Sequence, residues 1–237
     1  MTDLNRKAVV LDKIPVELDV AKIITQLKIH GDTRRYETCL REMIAVVTPV
    51  ARPKALIKIG CVENKNEGSL EIEGIKFTSR LVRLNLDKID SVFIGVVTAG
   101  TEVESIPAPQ DVMQRFCLDA VKNATLFAAS MYLRDYLTRH YHTGQLSTLN
   151  PGETESFPID QQKKLFSILG DVENMIGVKL TENCALVPVK SGAGIYYSTE
   201  TEFISCRLCT NQRCMGRRAV YEPELAKKYA SPSLPTP

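Results

Sequence analysis

The sequence lacks several features that would each assign it to a common functional class. Its 30 basic and 28 acidic residues leave a formal net charge of +2, so there is no overall electrostatic attraction to nucleic acid or to an anionic membrane. It contains no uncharged apolar run of about 18 residues and no basic-then-apolar N-terminus with a small-residue cleavage site, the marks of a membrane span and of a secretory signal. No internal repeat is present. We therefore expect a cytoplasmic protein that binds neither nucleic acid nor membrane.

The cysteines do not form the pattern of a disulfide framework. They number seven, an odd count, and are scattered apart from one cluster near the C-terminus. This distribution suits buried thiols in a reducing compartment better than disulfides. With 237 residues, of which 44% are hydrophobic, the chain is long enough for one sizeable core, although length alone also allows two small domains.

Hydrophobic periodicity predicts helices and a hairpin in the N-terminal third. Two helices are expected first, one capped by Asp19 and one ended by Pro49. Residues 56–59 and 70–73 alternate in the manner of two hairpin strands around a turn-rich segment. Residues 79–86 fit either a helix or a strand.

A buried strand and a long helix are predicted in the middle of the chain. Residues 92–97 are continuously apolar, as in a buried strand. A helix follows over about 111–141, and its apolar stripe at helical spacing is expected to face the core. The stripe consists of Met113, Phe116, Cys117, Ala120, Val121, Ala124, Phe127, Ala128 and Met131.

The C-terminal half is predicted to alternate loops with short elements. A polar loop follows Gly144, a helix runs from near Asp160 to Gly170, and a strand is expected over 178–187. Long helices and hairpins in irregular order favour an α+β fold with a mainly antiparallel twisted sheet.

Four regions are expected along the chain. An N-terminal arm or edge strand covers 1–18, the α+β domain covers 19–200, and a segment rich in cysteine and arginine covers 201–222. The tail at 223–237 is predicted to be partly disordered, because its last seven residues include three prolines.

The loop Asn150-Pro151-Gly152 is the first candidate binding element. Glycine permits positive φ and close approach of the backbone, and the preceding proline fixes the turn, so that backbone groups can face a ligand. Proline-glycine is also a general turn signal, and an ordinary connection between two elements explains it equally.

The second candidate binding element contains Lys190, Ser191, Gly192 and Gly194. Its glycines predict a loop whose backbone approaches a ligand closely. The spacing of a nucleotide-hydrolase phosphate loop is absent. A hairpin turn with a solvated lysine is the alternative interpretation.

Three clustered cysteines are candidate metal ligands. Cys206, Cys209 and Cys214 have the spacing C-x2-C-x4-C and lie among arginines, with no acidic residue between them. Such thiolates suit an iron-sulfur centre or zinc, with Cys184, a histidine, water or a second molecule as the fourth ligand. Reduced cysteines on an ordinary turn are the alternative. No catalytic residue is predicted, because no histidine, asparagine or aspartate can be paired with a thiol from the sequence alone.

Several segments together resemble a known domain. The NPG loop, the run from Pro158 to Tyr197 that includes IGVKLTENCALVPVKSGAGIYY, the run VFIGVVTAGTEVE and the ending CRLCTNQRCMGRR are similar to the activation domain of cobalamin-dependent methionine synthase. The similarity is greatest to free-standing versions that carry an extra C-terminal cysteine segment, and it spans most of residues 19–220.

This resemblance implies a fold, cofactors and partners. It implies an activation-domain-like fold in which the two candidate binding elements face S-adenosylmethionine and a corrinoid. The cobalamin would be carried by a partner, either methionine synthase or another corrinoid-binding protein, and an external donor would supply electrons. Thr148 and Glu153 stand where the family has arginine and tyrosine. The loss of that arginine predicts weak or absent binding of S-adenosylmethionine, because a charge-assisted fork to its carboxylate is missing from the loop.

Two functional hypotheses follow from the sequence. In the first, the protein is an accessory component that supports reductive reactivation and remethylation of a corrinoid methyltransferase. In the second, it is a non-catalytic interaction module whose C-terminal segment is held by zinc, by an iron-sulfur centre or by no metal.

Overall fold

The computed structural model describes residues 7–214 and 216–230 and is built on an antiparallel sheet. Seven strands of the described chain form this sheet. Six of them lie in the order β4-β3-β2-β5-β9-β6, and the seventh, β1, pairs with β2 beside β3. A separate hairpin consists of β7 and β8. The strands are β1 (Val9–Leu11), β2 (Lys54–Glu63), β3 (Ser69–Ile72), β4 (Ile75–Thr78), β5 (Ser91–Thr98), β6 (Leu146–Leu149), β7 (Lys179–Leu180), β8 (Leu186–Val187) and β9 (Ser191–Ser198).

The described residues form seven α-helices. The Asp19 carboxylate caps the first by accepting the N–H of Ala21 at 2.8 Å, and Asp111 caps the long fourth helix through the N–H of Gln114 at 2.9 Å. Both caps satisfy backbone donors that have no partner within the helix. The helices are α1 (Val20–Gln26), α2 (Arg34–Val47), α3 (Arg80–Asn85), α4 (Val112–Tyr141), α5 (Gln162–Leu169), α6 (Val172–Ile176) and α7 (Pro223–Tyr229).

Strand alternation gives the sheet two buried faces. On β2, Ala55 and Ile57 face α4, whereas Leu56 faces the opposite side and packs with α3, α5 and α6. Successive side chains of a strand point to opposite faces. A strand in a sheet that is covered on both faces is therefore apolar at consecutive positions. The N-terminal half of α4 packs instead against α1 and α2, where a third apolar cluster is formed.

The predicted stripe of α4 is only partly buried. Phe127 is 52% exposed, and Phe116 and Met131 are exposed as well. The helix packs on α2 along its first half and on the sheet along its second half, so its buried side rotates along the axis. Residues outside the predicted stripe, among them Leu133 and Leu137, therefore supply the contact with the sheet.

Three sequence predictions about the C-terminal half are wrong. The loop expected after Gly144 contains a strand, β6, and the strand expected over 178–187 is instead the hairpin of β7 and β8. The glycine-rich segment that begins at Ser191 is neither a loop nor a hairpin turn, because it forms β9 between β5 and β6. Residues 79–86, which the sequence left open, form α3.

The regions expected at the two ends are partly described. Within the predicted arm, β1 pairs with β2, while residues 1–6 lie outside the described chain. The predicted tail contains α7, and residues 231–237 likewise lie outside it. Among the described residues, no helix combines the length and the apolar character needed to cross a membrane.

Candidate ligand cleft

Strand β9 brings the two candidate binding elements together. A Cβ atom built on Gly194 would lie 2.1 Å from Oδ1 of Asn150 and 3.1 Å from the carbonyl oxygen of Leu149. Only glycine leaves room for the asparagine side chain against the strand. The NPG loop and the glycine-rich strand, separated in sequence, are thus in contact in the fold.

Local hydrogen bonds fix the shape of the NPG loop. The N–H of Gly152 donates to the Phe157 carbonyl at 2.8 Å, and Asn150 Nδ2 donates to Glu153 Oε1 at 2.6 Å. Gly152 has a φ of +88°, and a Cβ atom there would meet Ile159 at 2.6 Å. The loop is therefore a compact turn that requires glycine at this position.

A cleft of 810 Å³ opens beside this loop. Its size falls within the range of small-molecule sites, roughly 300 to 1,000 Å³. Parts of α4, α5, β9 and the β7–β8 hairpin form its walls, and residues from the C-terminal segment complete them. The apolar lining comprises Val97, Phe127, Met131, Ile159, Leu186, Val189, Tyr196 and Phe203.

Charged side chains gather at one end of the cleft. Arg134 of α4 donates from Nη1 to Thr148 Oγ1 at 2.9 Å and from Nη2 to the carbonyl of Leu146. Oε1 of Glu202 lies 3.7 Å from Arg134 Nη2 and 3.8 Å from Arg218 Nη1. Two guanidinium groups therefore flank a single carboxylate.

Burial keeps the aromatic floor of the cleft neutral. It raises the pKa of Tyr196 to about 12, so the hydroxyl remains protonated at neutral pH and carries no charge into the cleft.

The seven predicted binding residues divide into three groups. Asn150, Pro151, Ser191 and Gly192 line the cleft, whereas Gly152 and Gly194 support the loop from behind. Lys190, the remaining member of the prediction, pairs through Nζ with Asp119 on α4 at 2.7 Å, and its side chain is only 15% exposed. It does not line the cleft.

Some cleft residues were absent from the sequence prediction. Arg134 and Glu202 lie far apart in sequence and belong to no motif, so only the fold brings them to the cleft. Gln162 is nearly fully buried, and its Nε2 donates to the carbonyl of Cys184 at 3.0 Å. Its polar side chain lies on the apolar face of α5, and this is the one sequence signal that points to Gln162.

The segment that carries the three clustered cysteines is organised around Arg217. Its guanidinium donates to the carbonyls of Cys206 at 3.1 Å, Cys209 at 2.7 Å and Asn211 at 2.8 Å, and also to that of Ala219 at 2.8 Å. A single cation therefore ties together most of the turns in this segment.

The thiols themselves lie apart from the cleft lining. Cys206 Sγ accepts the N–H of Arg218 at 3.4 Å, while Cys209 is half-buried and Cys214 is exposed. Among the described residues, no three histidine, cysteine, aspartate or glutamate side chains converge closely enough to hold a metal ion. The metal site at Cys206, Cys209 and Cys214 stays a prediction.

A comparison with solved structures identifies the fold. A similar structure is described as "Crystal Structure of the MetH Reactivation Domain bound to AdoHcy", with a TM-score of 0.63 over 84% of this chain and 81% of that one. This chain has the reactivation-domain fold. Sequence identity is 13%, and neither a family model nor a curated protein sequence matches the chain. The reactivation-domain fold confirms the predicted α+β class with its mainly antiparallel sheet.

Proposed function

We propose that this protein is an accessory component that supports reductive reactivation and remethylation of a corrinoid methyltransferase such as methionine synthase. The observation that supports the proposal is the cleft between the NPG loop and β9, in a chain that has the fold of a domain crystallised with AdoHcy. The partner would carry the cobalamin, an external donor would supply electrons, and the protein would act in the cytoplasm.

The residues of the cleft fit S-adenosylmethionine. The volume suits a nucleoside with an amino-acid extension, and the glycine at 194 allows Asn150 to form part of the wall. When bound, this cofactor supplies a methyl group for transfer to cobalt. The work of the chain is to hold the ligand in one orientation and to exclude water from it.

An exposed apolar rim surrounds the cleft and supports the proposal of a partner. Phe127, Met131, Ile159 and Val189 are large apolar side chains that line the cleft and are exposed. A contiguous apolar surface around a cleft is typical of an interaction site. A corrinoid protein docked on this rim would seal the cleft from solvent.

The decisive experiment follows the cobalt spectrum of an oxidised corrinoid methyltransferase from the same organism. With reductant and S-adenosylmethionine present, we expect this protein to accelerate the return of methylated cobalt and to form a complex detectable by size exclusion. Each component omitted singly provides a control. Equal rates with and without the protein, together with no complex, would refute the proposal.

A non-catalytic interaction module is the second candidate function. The observation that favours it is the cage of carbonyls around the Arg217 guanidinium, which organises the cysteine segment through protein contacts. This module would bind a partner in the assay above without changing the cobalt spectrum.

Metal analysis tests the proposed centre at the three clustered cysteines. Protein purified without oxygen should contain iron or zinc, and the triple variant Cys206→Ser, Cys209→Ser, Cys214→Ser should not. Absorption in the visible range separates iron-sulfur from zinc. Near-zero iron and zinc in both proteins would reject the site.

A further inference from the structure

At one end of the cleft, two guanidinium groups approach one carboxylate. Glu202 lies within ion-pair distance of Arg134 and Arg218, at 3.7 Å and 3.8 Å, yet both separations exceed hydrogen-bond length. A guanidinium carries five N–H donors, and Arg134 gives two of them to Thr148 and Leu146. The two guanidinium groups therefore retain capacity for a second anion.

A carboxylate is the group that this arrangement fits best. Its two oxygens match the planar fork of an arginine, and the fork adds orientation as well as attraction. A phosphate would also pair with arginine, but Glu153 and Glu202 line the same cleft and would repel its second negative charge. The same two acids would instead attract an ammonium group beside a carboxylate.

The dimensions of the cleft indicate what is attached to that zwitterion. At 810 Å³ the cleft is much larger than an amino acid alone, and its remaining walls are mainly apolar. We propose that the cleft binds the α-amino-acid end of a larger ligand, with the ligand carboxylate held between Arg134 and Arg218. This inference rests on the proposed function and deepens it, since it names the residues that select an S-adenosyl ligand by its amino-acid end.

The cysteine segment thereby becomes part of the binding site. Arg218 reaches the cleft through its guanidinium, while its backbone N–H donates to Cys206 Sγ at 3.4 Å. The loop by itself, where Thr148 stands in place of an arginine, predicts weak or absent binding of S-adenosylmethionine. In the fold, α4 brings the guanidinium of Arg134 to the hydroxyl of that threonine.

Calorimetric titration with two related ligands tests the inference. S-adenosylhomocysteine has the amino-acid end, and 5′-methylthioadenosine lacks it. We expect the first to bind the wild-type protein at least about tenfold more tightly, which is the effect of a charge-assisted fork. The variants Arg134→Gln and Arg218→Gln should lose that advantage and keep the affinity for 5′-methylthioadenosine.

Arg213→Gln is the matched control, because it removes an exposed guanidinium from the same segment without touching the cleft. If Arg134→Gln fails to fold, Arg218→Gln decides alone, since its side chain is 59% exposed. Equal affinity for the two ligands in the wild type, unchanged selectivity in Arg218→Gln, or no binding of either ligand would overturn the inference. The cobalt assay remains separate, because a protein that binds selectively but fails to reactivate a corrinoid protein would refute only the proposed function.

Discussion

The central sheet and the cysteine segment at 201–222 are held by different forces. The sheet packs between helices, and side chains such as Leu56, Ile94 and Leu133 are completely buried. In the cysteine segment, by contrast, no described residue is fully buried. Its order comes from the Arg217 guanidinium and from the pair of Arg207 with Glu222, whose Nε and Oε1 atoms are 2.6 Å apart. The first region is stabilised mainly by removal of apolar surface from water. The second combines a few charge-assisted hydrogen bonds with the partial burial of Phe203 and Leu208 against the core.

This difference predicts two levels of stability within one chain. Apolar burial is cooperative over the whole core, so its loss lowers the free energy of global unfolding. The apolar side chains of the segment, Phe203 and Leu208, are only partly buried against the core. Opening the segment therefore exposes less apolar surface than unfolding the core, and such regions unfold locally at lower free energy. The cleft lies where the two regions meet, because its walls come from both.

The largest effect is expected from a cavity in the core. Leu133→Ala removes a fully buried side chain that packs between α4 and the sheet. Such substitutions lower the free energy of unfolding by about 2–5 kcal/mol. Urea denaturation followed by circular dichroism measures the loss. Val189→Ala, at a position that is 70% exposed, is the control, and a comparable loss there would contradict the assignment of stability to the core.

A smaller effect is expected from an added methyl group at β9. Gly194→Ala would force the added Cβ against Asn150, and overpacking of this kind costs about 1–3 kcal/mol. We expect the NPG loop to shift, with loss of ligand binding in the cleft. Gly192→Ala is the matched control for stability on the same strand, because its nearest neighbour, Val97, lies at an ordinary 3.8 Å. Equal stability in the two variants would argue against this role of glycine.

The next effect should be confined to the cysteine segment. Arg217→Gln removes the donors that bind four carbonyl groups. We expect amide exchange in 206–222 to rise at least about tenfold, since a charged donor contributes more than a neutral one. The global free energy of unfolding should change by less than about 0.5 kcal/mol. Arg213→Gln serves as the control, and a large global loss in Arg217→Gln would show that the segment and the core unfold together.

The smallest effect concerns the pH dependence of the same segment. The hydrogen bond from Arg207 lowers the pKa of Glu222 below its ordinary value of 4.5. A carboxyl whose pKa is lowered on folding stabilises the folded state at pH values above its ordinary pKa. This contribution is lost as the pH falls through the lowered pKa. Protection factors of the amides in 206–222, which correct for the intrinsic pH dependence of exchange, should therefore fall below about pH 4.5. Glu222→Gln should remove this fall, and an unchanged pH profile in that variant would assign it to another group.

The fold could be predicted from the sequence wherever a local pattern determines an element. Local patterns predict the hairpin of β2 and β3, the buried strand β5 and the cap at Asp19, and the structure confirms them. The buried side of α4 could not be read in this way, because it depends on two neighbours that lie in different directions. The sequence predicts a loop at β9 because glycine usually weakens strands. In the structure Gly194 instead leaves room for the Asn150 side chain.

The candidate site was predictable only in part for a related reason. The NPG loop and the glycine-rich strand carry local signals, and the structure brings them together around one cleft. Arg134, Glu202 and Arg218 meet only through tertiary contacts, so no local pattern points to them as a group. The spacing of the cysteines predicts a metal centre, but spacing does not determine whether the sulfur atoms converge.

The position of β9 in the sheet also constrains the order of folding. Phe93 pairs with Tyr196, and Leu149 pairs with Ile195, so β5 and β6 are joined only through a strand made near the end of the chain. Long-range strand pairing is slow, because the entropy of closing a long loop must be met before any contact is gained. During synthesis the strands β2 to β5 can pair early. The gap between β5 and β6 closes only once β9 has been synthesised. A chain truncated before Ser191 would leave one edge of β5 unpaired and would remove the strand partner of β6, and exposed strand edges favour aggregation.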